Sequence, residues 1–300
     1  MSIHDTPLTD GQQIEKTVVP SHAKLAIGLS SVATGLRQLE VGATISPREV
    51  PHMSDTTYRL TELHLLEAEC VTLYFDRKGA QLDPDTSAKK VKLVISTYEW
   101  NSKINSDPSV KQASERLLPL TDKNRTPKTR YDTVTAANFY SPFDEIADNA
   151  ALKEMLRTLI AAGANGIEIA ATVGHWDSVL ALSTTSAVDA EFPDRHLNLH
   201  FHGTYNFGMA KVYVALILTM ENFRAAVGSL GAYPFGLGAA SKTGTDNHVY
   251  LPRKEGIEAG HNVNHLAAIR EPLLFSGENG LTSSTSSVFA TPTVLVGGAV

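Results

Sequence analysis

The stretch that decides the fold is residues 197–205, LNLHFHGTY. Successive side chains of a β-strand point to opposite faces, so His200 and His202 point the same way at the end of an apolar strand. Two imidazoles on one face can share a divalent cation, and they can equally be rim histidines that hydrogen-bond to backbone groups. The pattern alone leaves both interpretations open.

Seven other short apolar runs resemble this strand, and helical patterns lie between them. The eight predicted strands are residues 2–6, 38–41, 71–75, 91–96, 131–136, 166–170, 197–202 and 222–227. Apolar residues three and four apart predict helices, among them residues 25–36, 152–160 and 209–216. Gly35 and Gly163 stand where the first two should end. Eight strands that alternate with helices predict an α/β fold, a (β/α)₈ TIM barrel. An open doubly wound sheet is the weaker alternative, because no glycine-rich phosphate fingerprint follows the first strand.

Composition and charge narrow the class of protein. We expect the barrel over residues 1–275 and a flexible or docking C-terminal extension over residues 276–300, which are low in complexity. The 26 Lys and Arg against 32 Asp and Glu leave a formal charge of −6, which argues against a nucleic-acid-binding protein. Cys70 is the single cysteine, so no intrachain disulfide forms, and its apolar neighbours predict a buried thiol.

Membrane insertion and export are not expected either. No apolar run reaches the roughly 18 residues that a membrane span requires. The first residues carry acidic side chains instead of a basic region followed by an apolar segment, so they are not an export signal. We therefore expect a cytoplasmic protein.

Polar side chains follow several predicted strands at the end where a barrel forms its site. Asp10 follows the first strand, Glu40 lies at the second, and His200 and His202 lie at the seventh. One carboxylate with two imidazoles is a suitable ligand set for Mg²⁺, Mn²⁺ or Zn²⁺, with water and substrate in the remaining positions. Asp10 could equally cap a loop helix, and Glu40 could pair with a neighbour inside the barrel.

Several segments resemble one known family in the order in which they occur along the chain. The segments are residues 3–13 (IHDTPLTDGQQ), 39–55 (LEVGATISPREVPHMSD), 166–174 (GIEIAATVG), 229–235 (SLGAYPF), 238–242 (GAASK) and 256–260 (GIEAG). The first resembles metal-dependent barrels that make or break carbon–carbon bonds by Claisen and aldol chemistry. The others, together with the two histidines, resemble 3-hydroxy-3-methylglutaryl-CoA lyases. The resemblance is clear over residues 1–60 and 130–275.

The resemblance implies a retro-Claisen lyase of a small-molecule substrate, a CoA thioester or a related hydroxy or oxo acid. A divalent metal would chelate the substrate, a base would remove the hydroxyl proton, and an enolate would depart. Carried over from the family, the metal ligands are Asp10, His200 and His202, and the glutamate of the second-strand motif is Glu40. The resemblance also implies a homo-oligomer.

Four positions depart from the family pattern. The arginine that precedes the metal-binding aspartate is Thr9 here, and the aspartate after the sixth strand is Ala171. The mobile-loop cysteine is Tyr233, and the metal-binding asparagine is Lys242. Losing a cation at a developing oxyanion costs on the order of 10²–10³ in rate. A protonated lysine has no acceptor with which to bind a metal.

Three hypotheses follow from these departures. In the first, the chain is a lyase of altered substrate, in which Lys242, Tyr233 or a recruited His175 supplies acid, base or oxyanion contacts. In the second, Lys242 replaces the metal and pairs with Asp10, and the barrel only binds or scaffolds. In the third, the barrel carries out a metal-assisted isomerisation, hydration or decarboxylation. A structural role for His175, in the loop after the sixth strand, is the simpler interpretation of that residue.

Overall fold

The structure is a computed structural model, and it describes most of the barrel. The described residues are 1–9, 11–12, 17–48, 50–64, 68–75, 88, 90–97, 109, 111–112, 115, 119, 130–136, 149–171, 178–203, 207–231, 242–269 and 285. Three of the predicted site residues, Asp10, His175 and Tyr233, lie outside them. The predicted C-terminal extension does too, except for residue 285, so the division of the chain at residue 275 stays a prediction.

Eight parallel strands close into one barrel in sequence order, and the last strand pairs with the first. The strands are β1 (Ser2–Asp5), β2 (Gln38–Thr44), β3 (Glu69–Tyr74), β4 (Lys90–Ser96), β5 (Arg130–Ala136), β6 (Gly166–Ala171), β7 (His196–Phe201) and β8 (Asn222–Ala225). The predicted TIM barrel is therefore confirmed, and closure excludes the open doubly wound sheet.

Helices cover the outside of the barrel in the described part of the chain. They are α1 (Ser21–Ala33), α2 (Thr56–Leu63), α3 (Asn149–Ala161), α4 (Ser178–Glu191), α5 (Gly208–Ile217), α6 (Thr245–Lys254) and α7 (Val263–Ala268). Short 3₁₀ turns occupy Pro51–Met53 and Val227–Ser229. The apolar core lies between strands and helices, in clusters that contain Ile27, Leu39 and Leu60 on one side and Leu156, Leu199 and Val212 on another. None of the described helices has the length and apolar character needed to cross a membrane.

The predicted elements agree with the observed ones to within a few residues. Gly35 and Gly163 have φ values of 96° and 114° and follow α1 and α3, which confirms them as helix stops in the left-handed region. Cys70 is buried, as predicted. The main error is at β2, which continues to Thr44. Glu40 therefore lies within the strand, inside the barrel, and not at its carboxyl end.

The extra length of β2 has a local cause. The pairing of β2 with β3 shifts register between Glu40 and Gly42, so the strand contains an irregularity. A Cβ atom at Gly42 would lie 2.4 Å from Thr56 Oγ1 at the start of α2. Only glycine lets the strand pass this close to the helix. The hydroxyl oxygen of Thr56 lies 3.1 Å from the carbonyl oxygen of Ala43 on β2 and 2.8 Å from that of Met53, so both are acceptors for its one proton. This contact holds the end of β2 against α2.

Candidate active site

The two histidines of the 197–205 stretch meet at the carboxyl end of β7. Nε2 of His200 and Nε2 of His202 are 3.1 Å apart. Their rings stack with centroids 5.0 Å apart and an interplanar angle of 10°. Both side chains are buried. The prediction that these two imidazoles point the same way is therefore correct.

A carboxylate sets the proton position on the first of these rings. Oε1 of Glu168 lies 3.3 Å from Nδ1 of His200. The cations around Glu168, Lys92 first among them, lower the pKa of this carboxyl to about 2 against the opposing effect of burial. An ionised carboxylate only accepts hydrogen bonds, so Nδ1 of His200 carries a proton, and in the neutral ring the lone pair is on Nε2. A carboxylate behind a histidine is the usual support for a metal-binding imidazole.

Below the histidines lies a layer of four charged side chains, here called the charged layer: Glu40 of β2, Lys92 of β4, Glu168 of β6 and Arg224 of β8. Three contacts link them across the interior in the order Glu40, Arg224, Glu168, Lys92. Arg224 Nη2 bonds Glu40, Arg224 Nε lies 3.3 Å from Glu168 Oε1, and Lys92 Nζ bonds Glu168. TIM barrels are filled by layers of four side chains from alternate strands, normally aliphatic ones. Here the layer from the even strands is ionic, with two positive and two negative groups, all of them buried.

Thr9 completes the surroundings of Glu40. Its hydroxyl donates a hydrogen bond to Oε1 of Glu40, and both residues are buried. The resemblance gives this position an arginine in the family. In this chain the positive charge next to Glu40 comes instead from Arg224, on the other side of the carboxylate. Glu40 is therefore held between Thr9 and Arg224, which fits a positioning residue better than a proton-transfer group.

Lys242 lies at the same end of the barrel as the histidines. Its backbone forms an antiparallel bridge with His202, and its Nζ donates a hydrogen bond to Thr6 Oγ1 at 2.8 Å. Thr6 in turn donates to the carbonyl of Ala225 at 3.0 Å. The lysine is buried, and its amino group lies at the top of the barrel between β7 and the segment after β1. Ala171, also buried at the end of β6, adds no polar group there.

The histidine pair fits a divalent cation, and the described residues give part of its ligand set. Both Nε2 atoms converge, and Glu168 holds the first ring in the tautomer that a metal requires. Within the described residues, no group of three or more His, Cys, Asp or Glu side chains is arranged to hold a metal. Asp10, the predicted third ligand, lies outside those residues, and so do His175 and Tyr233.

Sequence reasoning missed three functional candidates: Lys92, Glu168 and Arg224. A signal for them is present in the sequence, since each is a charged residue with apolar neighbours on both sides within its strand. Charged residues at such positions are almost never buried unless they are paired. The charged residue in each strand therefore predicts a buried charge. The sequence of that strand alone does not show where the oppositely charged partner lies.

Comparison with known proteins agrees with the fold and the motifs. A family model described as HMGL-like matches residues 1–270. The hydroxymethylglutaryl-CoA lyase of Pseudomonas mevalonii is 25% identical over 261 residues, 87% of each chain. The 3-hydroxy-3-isohexenylglutaryl-CoA/hydroxy-methylglutaryl-CoA lyase of Pseudomonas aeruginosa is 25% identical over 258 residues, 86% of each chain.

A solved structure extends this likeness to the whole backbone. An HMG-CoA lyase from Acinetobacter baumannii, in complex with coenzyme A and 3-methylmalate, superimposes with a TM-score of 0.91 at 24% identity. The match covers 100% of this chain and 98% of that one. The matched relatives are carbon–carbon lyases, which agrees with the enzyme class expected from the sequence. Because the family model matches residues 1–270, this chain belongs to the HMGL-like family.

Proposed function

We propose that this protein is a divalent-metal-dependent carbon–carbon lyase whose substrate differs from that of the named relatives. The observation that carries the proposal is the pair of Nε2 atoms of His200 and His202, 3.1 Å apart at the carboxyl end of β7. Active sites of TIM barrels form at this end. The substrate class is a hydroxyacyl-CoA or a related hydroxy or oxo acid.

His200 and His202 are the residues that would hold the metal, with Asp10 as the proposed third ligand. Mg²⁺, Mn²⁺ and Zn²⁺ all accept this donor set. When bound, the metal would polarise and orient the oxygen atoms of the substrate. Glu168 keeps the first histidine in the required tautomer, and the charged layer holds Glu168 in place. The chain therefore supplies a rigid support under the site.

The changed residues support an altered substrate. Thr9 contributes a hydroxyl where the family has a guanidinium, and Arg224 is held between two carboxylates inside the barrel. Neither puts an uncompensated positive charge at the site. Lys242 does bring an amino group to the top of the barrel, where in its protonated form it can stabilise a negative charge that develops on the substrate. Tyr233 and His175 stay as proposed acid or base groups.

A CoA thioester is our first choice of substrate, because the Acinetobacter baumannii lyase that shares this fold binds coenzyme A. In the proposed reaction a base takes the proton of the substrate hydroxyl. The carbon–carbon bond then breaks, its electron pair passes to the leaving enolate, and a carbonyl forms at the former hydroxyl carbon. A homo-oligomer and a cytoplasmic location stay as predictions.

Metal binding is the first test. Isothermal titration of the purified, chelator-treated protein with Mn²⁺ should show one site per chain, and His200→Phe should abolish it. His4→Phe is the matched control, because His4 is a buried barrel histidine that lies near the other end of the barrel. Wild-type protein that binds no Mn²⁺, Mg²⁺ or Zn²⁺ would contradict the proposal and favour the hypothesis that Lys242 replaces the metal.

Restoring the family residues is the second test. Thr9→Arg with Lys242→Asn should give cleavage of 3-hydroxy-3-methylglutaryl-CoA, with a gain on the order of 10²–10³ over the parent. Since Arg224 already binds Glu40, a third substitution, Arg224→Ala, makes room for the new arginine while Lys92 still pairs with Glu168. If both variants bind metal and neither cleaves this thioester, these positions do not account for the altered substrate.

A further inference from the structure

The amino-terminal end of the barrel contains a polar cavity of about 170 Å³, here called the lower chamber. Its wall comes from β1, β2, β4, β5, β7, the start of β8 and the residue before β6. It includes His4, Lys90, Asp132 and Asn198. The chamber is distinct from the candidate active site, since it lies on the other side of the charged layer.

The sequence shows which layer borders this space. The residues two positions before the members of the charged layer are Gln38, Lys90, Gly166 and Asn222, again from the even strands. Strand residues two apart share a face, so these form the next layer toward the amino-terminal end. Gly166 contributes no side chain, and the carboxylate of Asp132 on β5 fills the place of its Cβ atom, with Oδ1 2.8 Å from that position. The layer therefore has three side chains of its own, and Asp132 stands in the fourth place.

The wall is suited to a polar occupant. An apolar hole of this size stays dry, whereas a polar one holds water or a ligand, and 170 Å³ corresponds to about six water molecules. Gln38, Asn165, Asn198 and Asn222 bring four side-chain amides to the wall. Nδ1 of the buried His4 has no hydrogen-bond partner among the residues that the structure describes.

The charges around the lower chamber favour an anion. Burial lowers the pKa of His4 well below its usual value, and Lys92, Arg224, Lys90 and His196 lower it further. His4 is therefore neutral at pH 7. The charges that act most on its ring are positive, although Lys92 and Arg224 are paired with carboxylates of the charged layer. Lys90 Nζ lies 2.5 Å from Asp132 Oδ2, so one of these cations is fixed at the chamber wall by a carboxylate.

The chamber is accessible from outside. His196 at the start of β7 and Asn165 just before β6 are exposed, and Gln38 and Asn222 are half-buried. A small ion can therefore reach Lys90 and His4 from the solvent without passing the candidate active site.

We propose that the lower chamber binds a small oxyanion, of the phosphate or short carboxylate class. The anion accepts hydrogen bonds from Lys90, His196, the amides and the Nδ1–H tautomer of the neutral His4 ring. The proposal rests on the barrel interior alone and does not depend on the lyase activity or on a metal.

Imidazole NMR tests the proposal on the full chain. ¹⁵N-labelled protein is titrated with inorganic phosphate and, separately, with malonate, at an ionic strength held constant with sodium chloride. We expect saturable shifts of the His4 and His196 rings, with His200 and His202 unchanged. Whichever of phosphate and malonate saturates these shifts at the lower concentration shows whether the chamber prefers a phosphate or a carboxylate. Shifts that do not saturate, or saturable shifts confined to His200 and His202, would overturn the proposal.

Two variants locate the site. His4→Phe keeps an aromatic ring and removes Nδ1, and it should weaken phosphate binding, read at His196, by roughly tenfold or more. Asn222→Leu, at the half-buried rim, should do the same, and it serves if His4→Phe does not fold. His22→Phe, an exposed histidine on α1, should bind as the wild type does. Equal binding by all three variants would contradict the proposed site.

Discussion

The two ends of this barrel are both polar, and they are polar in different ways. At the carboxyl end, two imidazoles face one another at 3.1 Å and a carboxylate supports one of them. In the lower chamber, an ion pair, a buried histidine and several amides surround an open space. One strand, β7, contributes to both ends. Its residues His196, Asn198 and His200 are two positions apart and therefore lie on the same face.

The charged layer separates the two ends and makes the difference possible. It joins β2, β4, β6 and β8 through Glu40, Lys92, Glu168 and Arg224. Its charges are paired within the layer, so each end can have its own electrostatic character. The interior is therefore organised in layers, and the substitutions below test how far each layer acts on the next.

The largest expected effect comes from breaking the charged layer. Arg224→Met removes the cation that contacts both Glu40 and Glu168, and leaves buried carboxylates with fewer partners. We expect the free energy of unfolding to fall by about 3–5 kcal/mol, measured by urea denaturation. Arg157→Met is the control, because Arg157 pairs with Glu154 and Glu191 on the surface of α3, where such pairs add little. Equal stability of both variants would show that the layer does not hold the barrel together.

The second-largest expected effect is a pH dependence of stability caused by Asp5, on the face of β1 opposite to His4. Next to His4, Asp5 points away from the interior and accepts hydrogen bonds from Thr245 Oγ1 at 2.8 Å and from the backbone N–H of Val227 at 3.0 Å. Burial raises the pKa of Asp5 to about 6, although these hydrogen bonds oppose the shift. A carboxyl whose pKa is raised by folding adds stability below its unfolded pKa, and this is lost as the pH rises through the folded pKa.

Between pH 4 and pH 6, the ionisation of Asp5 therefore lowers the free energy of unfolding by about 3 kcal/mol, because each pKa unit of the shift corresponds to about 1.36 kcal/mol. Asp5→Asn keeps an oxygen acceptor for Thr245 and has no charge to bury, so its free energy of unfolding should change less over this range. Urea denaturation at several pH values measures both curves. Parallel curves for the two proteins would contradict the assignment to Asp5.

The smallest expected effect concerns the support that Glu168 of the charged layer gives to His200 above it. Glu168→Gln keeps a hydrogen-bonding group near His200 and removes the charge that sets its tautomer. We expect Mn²⁺ to bind roughly 10–100-fold more weakly, as when the group behind a metal-bound histidine is lost. Asp132→Asn in the lower chamber is the matched control, since it removes a buried carboxylate of the other end. A similar loss in both variants would mean that the two ends are not independent.

Much of the fold could be predicted from local patterns. Alternating apolar runs located all eight strands, and Gly35 and Gly163 marked two helix ends, because these signals depend only on neighbours along the chain. The end of β2 was placed too early, since its extra residues depend on how closely Gly42 approaches Thr56 of α2. That approach is a contact between elements, so β2 alone does not show it.

For the site, the histidine pair, the family resemblance and the substitutions Thr9 and Lys242 follow from the amino-acid sequence. That Arg224 binds Glu40, that Lys242 reaches Thr6, and that Asp132 fills the place beside Gly166 follows from the folded barrel alone. The reason is geometric. The face on which a side chain lies follows from its position along one strand, whereas its partner across a barrel depends on the stagger and closure of all eight strands.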